Sequence, residues 1–126
     1  MVASVSGVLL SKRGDDVHIT LYRGKTVRFS LIHGGYSPVD VTGWGAKLQF
    51  RAAVDSPTVV LEMSTANSRV TVGGANGKFD FLLDDADSAA LAAGDGVWDC
   101  ELYPPTGETY LGESGTYTIV PEVTRT

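Results

Sequence analysis

Asp99 and Glu101 stand two residues apart in a stretch of alternating polarity, so both carboxylates project from one side of a strand. Paired carboxylates can serve as acid and base in glycoside hydrolysis when they face each other across a cleft. On one strand, with acids spread evenly over the rest of the chain, the pair reads instead as a solvated sheet face. His18 and His33 are the only histidines, and neither has a second ligand or a cysteine cluster at metal spacing. Asp84, Asp85 and Asp87 lack the alternating ligands and terminal glutamate of a calcium loop, and they suit the N-terminus of a helix. There is no Gly-x-Ser-x-Gly elbow, no phosphate-binding Walker loop and no dinucleotide fingerprint. Gly73, Gly74 and Gly77 fall between strands, where they serve turn geometry. Arg13-Gly14-Asp15 matches the tripeptide read by adhesion receptors, but a turn ahead of the next strand explains it with fewer assumptions. The expectation is a non-enzymatic protein with no catalytic, metal or cofactor site.

The lone cysteine, Cys100, lies on the inward side of its strand, where a thiol behaves as a small hydrophobe. Tyr22 and Tyr103 fall on outward sides, and exposed tyrosines are typical of interfaces with proteins or sugars. With Tyr36 and the apolar piece Val8-Leu9-Leu10 they form the candidate interface: Val8, Leu9, Leu10, Tyr22, Tyr36 and Tyr103.

The elements that would position these residues are strands. In Trp44 to Arg51, Trp44, Ala46, Leu48 and Phe50 share one face while Lys47, Gln49 and Arg51 share the other. Trp98, Cys100 and Leu102 alternate in the same way with Asp99 and Glu101. Phe79, Phe81 and Leu83 form a third inward set, and Val27, Phe29 and Leu31 a fourth. Strands with one wet face pair antiparallel. Val17 to Tyr22 and Thr26 to Ile32 read as a hairpin closed by Arg23-Gly24-Lys25. Further strands are expected at Val59 to Met63, Arg69 to Val72, Glu108 to Leu111 and Thr116 to Val120. One short helix, of about two turns, is expected from Asp84 to Gly94. About eight or nine strands with regular turns predict an all-β, antiparallel sandwich. Residues 1–16 form an N-terminal arm or edge strand, and 17–126 a single domain.

At 126 residues the chain suits one core. Fifteen acidic against ten basic residues give a formal charge of -5, and the basic residues are scattered, apart from Lys12-Arg13. Nucleic acid is therefore not an expected partner, since a phosphate footprint needs clustered Lys and Arg. No apolar run approaches the ~20 residues that span a bilayer, and the start lacks a secretory leader, so no membrane is expected either.

Tyr22-Arg23-Gly24-Lys25-Thr26, then Pro38-Val39-Asp40-Val41-Thr42-Gly43-Trp44, and Ala46-Lys47-Leu48-Gln49-Phe50-Arg51 appear in that order. Asp84-Asp85-Ala86-Asp87-Ser88-Ala89-Ala90-Leu91 and Gly96-Val97-Trp98-Asp99-Cys100-Glu101-Leu102 follow, and the chain closes with Gly115-Thr116-Tyr117-Thr118-Ile119-Val120-Pro121-Glu122-Val123-Thr124-Arg125. This series resembles the N-terminal module of tailed-phage baseplate upper proteins and related small virion proteins, and covers most of the chain from Val17 onward. The resemblance implies an immunoglobulin-like sandwich that anchors other components on a phage particle without catalysis. In that family the module commonly leads into a fibre or receptor-binding region, whereas this sequence stops at Thr126. The expected role is a connector or adaptor in the tail, baseplate or fibre region, present in several copies or as a homo-oligomer. It would be made in the host cytoplasm, reside in the virion and dock on other virion proteins through sheet edges and the N-terminal arm. A capsid decoration protein and a carbohydrate-binding module are the alternatives.

Overall fold

The odd–even pattern of each strand decides which side chains are enclosed. In the computed structural model, which describes residues 2–34, 37 and 39–123, ten strands occur among the described residues. They are β1 (Val2–Ser6), β2 (Val8–Arg13), β3 (Asp16–Tyr22), β4 (Val27–Ile32), β5 (Gly45–Arg51), β6 (Leu61–Ser64), β7 (Val70–Val72), β8 (Lys78–Leu83), β9 (Gly94–Tyr103) and β10 (Tyr110–Val120). A helix, α1 (Asp85–Ala89), links β8 to β9. The order β1-β4-β8-β7 forms one sheet and β2-β3-β10-β9-β5-β6 the other. The protein is an all-β sandwich.

The inward sets expected from alternation fill the space between the sheets. Val27, Phe29, Leu31, Phe79, Phe81 and Leu83 come from the smaller sheet, and Ala46, Leu48, Phe50, Trp98, Cys100 and Leu102 from the larger. Trp44 is only half-buried, because it precedes β5 and lies at the end of the core. Phe29 stacks on Phe81 at 4.7 Å between ring centroids, and Phe50 on Tyr117 at 4.3 Å. Such pairs contribute about 0.5–1.5 kcal/mol beyond their burial.

All pairings described are antiparallel except one: β3 runs parallel to β10, from Ile19 beside Tyr117 to Tyr22 beside Val120. This junction depends on two glycines. Across β9 and β10, Trp98 pairs with Gly115 and Gly96 with Tyr117, so each ring stands opposite a residue without a side chain. A Cβ at Gly96 would meet the Tyr117 ring at 2.6 Å, and one at Gly115 would overlap the Val17 carbonyl. The space over Gly115 lets the buried Trp98 indole Nε1–H donate to Val17 O at 3.0 Å. That carbonyl lies just before the parallel ladder begins, where β10 offers it no partner.

Three sequence expectations change. Val17 to Tyr22 and Thr26 to Ile32 are not a hairpin: β3 and β4 lie in different sheets. Arg23-Gly24-Lys25 turns the corner between layers, with Gly24 at φ 80°, Arg23 N–H donating to Val120 O at 3.1 Å and Gly24 N–H to Ser88 Oγ at 3.0 Å. Both long edges of β3 are occupied by β2 and β10, which leaves no edge for β4. Secondly, the two strands expected between Glu108 and Val120 are the single strand β10, whose register shifts between Leu111 and Glu113. Gly112 sits at this bulge, where a Cβ would meet Leu102 Cγ at 3.1 Å. Thirdly, the helix is shorter than expected. It begins at the Asp84 cap, whose carboxylate accepts from Asp87 N–H at 2.8 Å. Residues 1–16, expected as an arm or an edge strand, supply β1 and β2, which lie at the edges of the two sheets.

Trp98→Phe keeps most of the ring but leaves the Val17 carbonyl buried without a donor, at a cost of roughly 1–3 kcal/mol. Gly115→Ala, which pushes the Val17 backbone away, should lose more. Urea unfolding measures both, and an unchanged midpoint for Trp98→Phe would remove the indole bond from the account.

Candidate functional site

The carboxylate pair lies where alternation puts it, on the outer face of the six-stranded sheet. Asp99 is opposite Gln49 and Glu101 opposite Lys47, while Arg51 faces Val97. These side chains hold one another. Arg51 donates to Ser56 O at 2.7 Å and to Gln49 Oε1 at 2.9 Å, and Gln49 Nε2 donates to Glu62 Oε1 at 2.8 Å. Tyr103 O–H donates to Glu101 Oε1 at 2.8 Å. Burial, and then the hydrogen bond with and charge of Glu101, push the Tyr103 phenol up to about 12. An open cleft of about 460 Å³ runs beside this network, lined by Asp16, Arg51, Val97, Asp99, Glu101 and Thr116 among others. Partial burial, followed by the charge of Glu101, raises the Asp99 carboxyl above its ordinary value, against the pull of Arg51. The two carboxylates project from one strand, about 7 Å apart along it. They do not oppose each other across the cleft as hydrolysis of a bound sugar requires.

The histidines are not brought together. His18, on the outer face of β3, sits between Thr116 and Thr118 on β10. Thr118 O–H donates to Asp95 Oδ1 at 2.7 Å, which leaves Thr118 Oγ1 to accept from His18 Nε2–H at 3.2 Å, while Nδ1 lies 2.7 Å from the Thr116 hydroxyl. The Thr118 contact places a proton on Nε2 of the ring. Its pKa lies below the ordinary value, through burial first and then Arg13, with Asp95 opposing. His33 follows β4 and lies 5.4 Å from Trp44 and 6.5 Å from Tyr110, between ring centroids. Among the described residues no group of three His, Cys, Asp or Glu could hold a metal ion. Cys100 is fully buried, and its thiol is pushed up to about 12 by burial first, then by the charges of Asp99, Glu101 and Glu113.

The candidate interface divides. Val8 points into the core, so it offers nothing to a partner. Leu9 is 51 % exposed and Tyr22 40 %, and both stand on the outer face at the β2–β3 end of the larger sheet. Leu10 is half-buried against the core. Tyr103 is half-buried with its hydroxyl engaged, and Tyr36 lies outside the described residues. Tyr22 is level with Val120 on β10, whereas Leu102, beside Tyr103, is level with Tyr110. Some ten residue rows, about 30 Å, separate the two tyrosines, which cannot share one sugar platform. The cluster of His33, Trp44 and Tyr110 was not foreseen. Trp44 lies just before its strand, packed against the end of the core and only half-buried there.

The larger sheet ends differently at its two edges. Along β6 the chain's own turn covers the outer side: Glu62 O accepts from Asn67 Nδ2 at 3.0 Å and Arg69 at 2.9 Å. Ser64 N–H donates to Asn67 Oδ1 at 2.9 Å, and Ser64 O accepts from Arg69 N–H at 3.2 Å. At the other edge, β2 has β3 as its neighbour on one side and, among the described residues, no strand on the other. No model of a known protein family matches the sequence, and no curated protein matches it.

Two chemical readouts follow. Cys100 should resist iodoacetamide in the native protein at mildly alkaline pH and react fully once denatured, because burial withholds the thiolate; rapid native alkylation would contradict its place in the core. A raised Asp99 pKa means that the folded protein holds this proton more tightly than the unfolded chain, so stability falls as pH rises through the carboxylate range. Asp99→Asn should therefore raise the melting temperature at neutral pH, with the gain vanishing in acid, where both states are protonated. Equal melting temperatures for the two proteins at neutral pH would refute it.

Proposed function

We propose that this chain is a non-enzymatic structural component of a tailed-bacteriophage virion, a connector or adaptor in the tail, baseplate or fibre region. Two lines support the reading. The sequence from Val17 onward resembles phage baseplate modules, and the strand order fits the immunoglobulin-like arrangement that this resemblance implies. With β1, β4, β8 and β7 as strands A, B, E and D, the strands β10, β9, β5 and β6 take the places of G, F, C and C′. The helix then falls between E and F.

The observation that carries the docking role is the β2 edge. Unpaired amides and carbonyls along a sheet edge accept a strand from a partner. Here they lie next to Leu9 and Tyr22, apolar groups that the fold leaves exposed. The chemically distinctive side chains are meanwhile engaged internally: His18 with two threonines, Glu101 with Tyr103 and Cys100 inside the core. Exposed edge and apolar surface are what an assembly component needs to bind its neighbours.

An antibody to the purified chain, applied to particles released by the host that carries the gene, tests this reading. The expected result is labelling at the tail end seen by electron microscopy, with the chain present in several copies by mass spectrometry of the particles. Labelling over the head would make it a capsid decoration protein instead. A chain missing from purified particles would overturn the virion role altogether.

A further inference from the structure

The register of the β2–β3 hairpin fixes which backbone groups of β2 face outward. Tyr22 N–H donates to Gly7 O at 2.9 Å, and the pairing continues through Leu9 beside Thr20, Ser11 beside His18 and Arg13 beside Asp16. In an antiparallel ladder, pairs that exchange hydrogen bonds alternate with pairs that do not. Leu9, Ser11 and Arg13 therefore bond to β3, while the N–H and C=O groups of Val8, Leu10 and Lys12 point away from the sheet. Among the described residues no other strand lies beside them.

We propose that two copies of this chain join antiparallel along β2, with Leu10 of each opposite Leu10 of the other, extending the six-stranded sheet across a two-fold axis. The proposal rests on reading β2 as the docking edge and is independent of a phage origin. Three observations select a second copy in this register. The outward groups are symmetric about Leu10, so Val8 pairs with Lys12 of the second copy and every outward amide and carbonyl is matched. No other register engages all three residues on both strands.

Charge agrees. Lys12 and its counterpart end four rows apart, about 13 Å, beyond the ~8 Å screening length at physiological salt. Sliding the strands until lysine faces lysine would place like charges directly opposite, which is destabilising. Apolar cover agrees as well. The half-buried Leu10 side chains meet across the axis, and the exposed Leu9 lies against Ser11 of the second copy. Since the β6 edge is closed by Asn67 and Arg69, the six-stranded sheet presents β2 alone for such pairing. The contact is therefore isologous, and assembly through it stops at two.

Sedimentation of the full chain from micromolar to millimolar concentration tests the pairing. The mass should rise from one chain to two, and the amides of Leu10 and Lys12 should exchange more slowly as concentration increases. Lys12→Pro removes an outward N–H without touching a β2–β3 bond. It should keep the native circular dichroism and remain a single chain at concentrations where the unmodified protein pairs. Leu9→Lys leaves the backbone intact, places like charges near the axis and should weaken association at least tenfold. It decides the matter if the proline variant fails to fold. A chain that is monomeric throughout, or both folded variants pairing as tightly as the unmodified protein, would overturn the proposal. Either result would leave antibody labelling of particles, and so the virion role, untouched.

Discussion

The exchange of glycine and aromatic residue between β9 and β10 is the constraint on which the larger sheet depends. Trp98 opposite Gly115 and Tyr117 opposite Gly96 put two large rings over two bare backbone positions. One ring stacks on Phe50, and the other reaches past β10 to the Val17 carbonyl. That indole bond satisfies the group stranded at the start of the parallel β3–β10 ladder. With β3 held there, β2 follows as its hairpin partner and becomes the outer strand. The open edge is thus a consequence of packing two layers inward.

The outer face of the same sheet is polar and largely self-satisfied. Arg51, Gln49 and Glu62 form a chain of hydrogen bonds across β5 and β6, and Tyr103 is tied to Glu101. Networks of this kind fix rotamers and hold the face rigid. They also distinguish the centre of the sheet, where side chains bind each other, from the β2 side, where Leu9 and Tyr22 bind nothing of comparable specificity. The two edges differ for a similar reason. Asn67 and Arg69 engage Glu62 O and both backbone groups of Ser64 on β6, a common device against unwanted strand pairing, whereas the described residues give β2 no strand on its outer side.

Much of this was legible in the sequence because period-two alternation is local. The inward sets of β4, β5, β8 and β9 could be read directly, and so could a helix start at the Asp84, Asp85 and Asp87 cluster and the outward placing of Tyr22. Pairing was not legible, since it depends on residues far apart. Arg23-Gly24-Lys25 has the composition of a hairpin turn and yet turns a corner between sheets, because β10 occupies the edge that β4 would have used. The strands expected at Glu108 to Leu111 and Thr116 to Val120 are one, with Gly112 at the bulge inside it. Val8 was grouped with its neighbours although its parity sends it inward. Gly96-Val97-Trp98 and Gly115-Thr116-Tyr117 were each visible as triplets, but only the register shows that they answer one another.

The central claim is that Trp98 joins β3 to the sheet. Indole hydrogen exchange measured by NMR tests it most directly, because the two tryptophans provide an internal contrast. The account predicts that the Trp98 Hε1 proton exchanges only with global unfolding and shows a nuclear Overhauser contact to the Val17–His18 backbone, while half-buried Trp44 exchanges faster. A Trp98 indole proton that exchanges as quickly as that of Trp44, with no contact to β3, would contradict it.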